Sequence, residues 1–157
     1  MDYFQGVVTE YLRADRATFV NTELFIQIEQ GDMPAKGNSW YCDAAAVNFR
    51  ESTLYLCEVT YSKTMQALAN RLLAWQANWE DIRAAVSRDC GVPEAWQVCP
   101  WVFVPRDYHD QLKQKAQAIW LETPEHNSMP SPRVTYLESV LPWNYKTWDR
   151  RAADLED

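Results

Sequence analysis

The stretch Trp40 to Lys63, WYCDAAAVNFRESTLYLCEVTYSK, decides how this chain is read. Tyr41 to Phe49 predicts a strand with three small residues, Ala44, Ala45 and Ala46, at its centre. Leu54 to Tyr61 predicts another, rich in β-branched and aromatic residues. The polar turn around Arg50 to Ser52 predicts that the two pair as an antiparallel hairpin. Two acids stand inside these apolar strands. Asp43 opens the first, and Glu58 lies near the end of the second, between Cys57 and Val59. An unpaired carboxylate in an apolar strand is costly, so such acids need a partner or a role. Strand side chains alternate faces, so Glu58 and Thr60 point one way and Cys57 and Val59 the other. The turn then carries Asp43 opposite the Glu58–Thr60 region. Two carboxylates there repel unless a cation sits between them. Mg²⁺ or Mn²⁺ suits such a place, taking one or two carboxylates, a backbone carbonyl, waters and phosphate oxygens.

Outward from the hairpin, Asp2 to Ala14 predicts an amphipathic helix, with Tyr3, Val7 and Tyr11 on one row and Phe4, Val8 and Leu12 on another. Asp2 is placed to cap it. Glu23 to Glu29 reads as the first strand, on the apolar residues Leu24, Phe25, Ile26 and Ile28. Beyond the hairpin, Thr64 to Arg88 reads as one long helix carrying Leu68, Leu72, Trp75, Trp79, Ile82 and Val86, ended by Gly91 and Pro93. Gln97 to Val104 predicts a strand, Tyr108 to Leu121 a helix, Arg133 to Leu141 a strand, and Trp143 to Leu155 a short terminal helix. This order predicts an α/β fold with a mixed central sheet flanked by helices. The 157 residues fit one domain, with a core over about 2–104 and an extension over about 105–157.

The element order and the acids together resemble the PD-(D/E)xK nuclease superfamily, whose restriction-endonuclease-like core runs α-β-β-β-α-β. The resemblance covers about Asp2 to Val104. It implies Asp43 as the Asp of the second strand, Glu58 as the acid of the triplet in the third, and Val59 as its middle residue, a backbone ligand to the metal. It also implies Glu10 as an acid of the first helix and Gln66 as a residue of the helix after the third strand. Thr60 stands where the family has Lys, and Thr carries no positive charge. Lys63, three residues on, is the candidate to reach back. The implied function is metal-dependent cleavage of DNA with Mg²⁺ or Mn²⁺, bound either at rest or once substrate phosphate completes its shell. The alternative is a nuclease-fold module that has lost chemistry and serves binding or assembly, as a homodimer or with a protein partner.

Composition limits the other readings. With 15 Lys+Arg against 22 Asp+Glu, the net charge of −7 argues against coating nucleic acid by electrostatics alone. A basic cluster at Arg133, Lys146, Arg150 and Arg151 has nearby acids to pair with. No apolar run reaches a membrane span, and the first residues lack a signal pattern, so a cytoplasmic protein is expected. The four cysteines form no C-x-x-C pair, which argues against structural zinc. Cys42 and Cys57 read as reduced, buried apolar residues. Neither His109 nor His126 stands in a catalytic pattern. The eight Trp residues read as core and helix-packing groups, with a base-stacking platform or a dimer interface as the alternative.

Overall fold

A computed structural model of the chain describes residues 2–29, 31, 40–122 and 128–145. It is α/β, with one five-stranded mixed sheet in the order β1-β2-β3-β4-β5. The strands are β1 (Thr18–Phe25), β2 (Tyr41–Asn48), β3 (Thr53–Val59), β4 (Gln97–Val104) and β5 (Arg133–Tyr136). β1, β2 and β3 form an antiparallel meander, and β4 and β5 continue it in parallel. The helices are α1 (Tyr3–Arg13), α2 (Gln66–Ala77), α3 (Trp79–Cys90) and α4 (His109–Glu122).

α1 starts as expected. The Asp2 carboxylate accepts from the Gln5 backbone N–H and the Gln5 side chain accepts from Asp2 N–H, a reciprocal cap worth about 1 kcal/mol. α1 covers one face of the sheet, where Val8, Tyr11 and Leu12 pack on Ala44, Ala46, Cys57, Trp101 and Phe103. α2, α3 and the start of α4 cover the other face, over Leu54, Leu56, Val98 and Val102. Parallel strands need crossovers, and β3-α2-α3-β4 and β4-α4-β5 supply them. β4 is buried on both faces, which accounts for its nearly continuous apolar sequence.

Four expectations from sequence are corrected. The first strand is Thr18–Phe25 rather than Glu23 to Glu29. It is an edge strand, with Phe19, Asn21 and Glu23 facing outward, so its alternation is half polar and the more apolar stretch after it drew the reading. The helix expected over Thr64 to Arg88 is two helices. Asn78 has non-helical backbone angles, φ −124° and ψ 24°, and its side chain donates to Ala74 O. The last strand stops at Tyr136, and Leu137–Val140 turns into a 3₁₀ helix that buries Leu137 and Val140 beside α1. Of the expected terminal helix, Pro142–Asn144 is a 3₁₀ turn and Tyr145 is extended. The rest of that segment, with Lys146, Trp148, Arg150 and Arg151, lies outside the described residues, as does His126.

One irregularity shapes the meander. Val20 belongs with the α1-side cluster and Leu24 with the α2/α3-side cluster, although residues four apart on a regular strand share a face. On β2 the same switch occurs between Ala44 and Cys42. Between these pairs stand Glu23, whose φ of 55° is left-handed, and Asp43. Beyond this point the β1–β2 ribbon covers the α2/α3 face with Leu24, Ile26, Trp40 and Cys42, and Arg88 of α3 ties it down through Gln27 O.

Candidate functional site

Asp43 stands where the ribbon changes face, one step past the last β2–β3 pair, Ala44↔Cys57. The same register continued by one residue sets Asp43 against Glu58, as the hairpin reading expected. Two donors hold its carboxylate. Val59 N–H donates to Oδ2 at 2.8 Å, and Gln5 Nε2 donates to Oδ1 at 3.0 Å. The first comes from the strand that carries Glu58 and the second from the first turn of α1.

Glu58 follows Leu54 and Leu56 on the α2/α3 face and is only 4% exposed. Arg71, on α2, answers it: Nη1 donates to both carboxylate oxygens at 2.9 Å. Burial first, and then the adjoining Asp43 carboxylate, push the Glu58 carboxyl well above the ordinary range, while Arg71 pulls it down. Burial opposes the Arg71 charge, but Glu58 more than offsets this, and its guanidinium holds its proton more tightly than usual. The Cys42 thiol beneath is also pushed up, by burial and then by Glu58.

These groups line a cavity of about 170 Å³ with Val59, Thr60, Ala67 and Leu68. That is room for a hydrated ion or a phosphate group. Thr60 N–H is bonded to Phe103 O of β4.

Asp43, Glu58 and Val59 thus come together. Three other candidates lie apart from them. Glu10 is 70% exposed and pairs with Arg13 at 3.7 Å. Lys63 is exposed on the loop between β3 and α2 and does not line the cavity. Gln66 is exposed at the start of α2, donating to Asn70 and accepting from Lys115 Nζ of α4. Two residues that sequence reasoning passed over take part instead. Gln5 is the α1 residue that reaches Asp43. Arg71 carried a readable signal: Leu68, Arg71, Leu72 and Trp75 share one helix face, and a cation in an apolar stripe asks for a buried acid.

The cysteines are free, and Cys42 and Cys57 are buried on opposite faces. Trp75 and Trp79 are core residues, so the α2/α3 pair does not offer them to a second copy. Among the described residues, no helix is long and apolar enough to cross a membrane. Compared with protein-family models, with curated proteins and with solved structures, the chain has no match.

Proposed function

We propose that this protein is a divergent nuclease of the PD-(D/E)xK type that cleaves phosphodiester bonds of DNA with a divalent metal ion. The supporting observation is the meeting of Asp43 and Glu58 at the ends of β2 and β3, in a chain whose elements begin α-β-β-β-α. Two neighbouring carboxylates, one of them buried, form a place where a cation is favoured. The donor set suits Mg²⁺ or Mn²⁺, because Asp43, Glu58 and the Val59 carbonyl are all hard oxygen ligands. A metal there would polarise a phosphodiester and lower the pKa of a water. The chain's own groups do the positioning. Gln5 and Val59 N–H fix the Asp43 carboxylate, so its orientation is set before any ligand arrives. Arg71 brings to the cavity the positive charge that Thr60 lacks, and a guanidinium is a strong phosphate partner.

A second reading is favoured by a specific observation. The Arg71–Glu58 ion pair already satisfies the buried acid without a metal. With Thr60 in the lysine place, that pairing also suits a nuclease-fold module that has kept the acids and lost the chemistry.

Calorimetric titration with Mg²⁺ and Mn²⁺, paired with cleavage assays on linear, single-stranded and branched DNA, separates the two. The nuclease reading expects binding and cutting that both vanish in Asp43→Asn and Glu58→Gln while the fold is kept. Cutting that persists in both variants refutes it. No metal binding and no cutting by the native chain leaves the non-catalytic reading.

A further inference from the structure

A phosphate held at the acid cavity leaves its flanking bases to find a surface nearby. Three aromatic rings gather where α1 begins and just past the end of β3. Phe4, next to the Gln5 that holds Asp43, packs on Tyr3 at 5.3 Å and on Tyr61 at 4.9 Å between ring centroids. Tyr61 follows Thr60 of the cavity wall. Tyr3 is 69% exposed and Tyr61 54% exposed, while Phe4 is half-buried against the α1-side core. Two exposed tyrosines thus flank the Phe4 ring, next in sequence to the Gln5 that holds Asp43 and the Thr60 that lines the cavity. Lys63 is exposed on the same loop as Tyr61.

We infer that Tyr3, Phe4 and Tyr61 form a base-stacking platform that seats a single strand of DNA with its phosphate at the Asp43–Glu58 cavity. This rests on the nuclease reading and names its substrate class. Charge favours a single strand over a duplex. A chain of net charge −7 gains little from counterion release, so its affinity for DNA must come from another source. Stacking on aromatic rings supplies it without sequence preference, and needs bases that are not already stacked in a duplex. With Lys63 as the cation of that loop, few phosphates are neutralised, and binding depends only weakly on salt.

The test is fluorescence anisotropy of a labelled oligo-dT strand and of a hairpin duplex of equal length. Ca²⁺ serves as the divalent ion, and a cleavage assay with Mg²⁺ or Mn²⁺ runs in parallel. The native chain is expected to prefer the single strand. Tyr3→Ala/Tyr61→Ala is expected to weaken that binding by about 10- to 100-fold, as loss of one or two stacked bases does. Tyr3→Phe/Tyr61→Phe is expected to restore it, because the ring and not the hydroxyl stacks. Both tyrosines are exposed, so circular dichroism of the alanine variant should match the native chain. Single-strand binding that is absent, no tighter than duplex binding, or unchanged by the alanine variant overturns the platform. Cleavage then judges the nuclease reading by itself: cutting that ignores the tyrosines leaves a nuclease without a platform. Tyrosine-dependent binding without cutting leaves a platform on a non-catalytic module.

Discussion

Replacing Arg71 by Met removes the cation from Glu58 while keeping most of the side chain's apolar length. Glu58 is 4% exposed and has both oxygens on Arg71 Nη1, so the variant leaves a buried carboxylate with only Asp43 beside it. Breaking a buried pair costs about 3–5 kcal/mol. The Arg71 side chain is 32% exposed, so water screens part of this, and about 2–4 kcal/mol is the expected loss near pH 8. In a domain of this size that lowers Tm by about 4–16 °C. The loss should depend on pH. The folded-state carboxyl of Glu58 already titrates above its unfolded value, so the native state binds this proton more tightly. Its contribution is therefore fully present below the unfolded value and is lost as pH rises through the folded one. Arg71 opposes that upward shift, so Arg71→Met raises the folded value further. The loss should therefore be smaller near pH 5 than near pH 8, since protonation relieves the unpaired acid. Urea denaturation at both pH values, with Glu58→Gln and the double variant completing a cycle, measures this. An equal loss at both pH values, or no recovery when Glu58→Gln is added to Arg71→Met, would refute the assignment of Arg71 as the partner of a strained buried acid.

Two further outcomes test the fold around the site. Ser52, in the β2–β3 turn, is exposed and has a φ of 51°. Ser52→Gly relieves a conformation that L-residues adopt at a cost, and should raise stability by about 0.5–1 kcal/mol in chemical denaturation. Cys42 and Cys57 are buried, and burial pushes the Cys42 thiol up, so both should resist a thiol reagent until the chain unfolds. Cys90 and Cys99 are half-buried and should react first, which mass spectrometry of partly labelled protein resolves.

Where local pattern and final environment agree, the sequence could be read directly. β4 occupies the predicted residues Gln97–Val104 because a strand buried on both faces is apolar throughout. The Asp2 cap and the β2–β3 hairpin follow from short-range chemistry, and the hairpin alone was enough to bring Asp43 to Glu58. β1 was harder because its outer face is solvated and polar, so its neighbour Ile26, buried only by the turned ribbon, outweighed it. The break at Asn78 has neither Pro nor Gly to announce it, and the apolar spacing runs on through it. At the site, Gln5 and Arg71 escaped notice because both act across elements, from α1 to β2 and from α2 to β3. Only the packing of those helices on the sheet decides which acid each one meets.

The change of face at Glu23 and Asp43 has a consequence for how the meander is wound. A regular ribbon can slide by two residues and still present the same faces. Here the residues on either side of the switch follow opposite phases, Val20 and Ala44 against Leu24 and Cys42. Sliding β1 along β2 by any step would separate the two switch points and bury the wrong side of one strand. The irregularity therefore acts as an index mark. The kink that aims Asp43 at Glu58 also leaves the pairing of the first two strands a single setting.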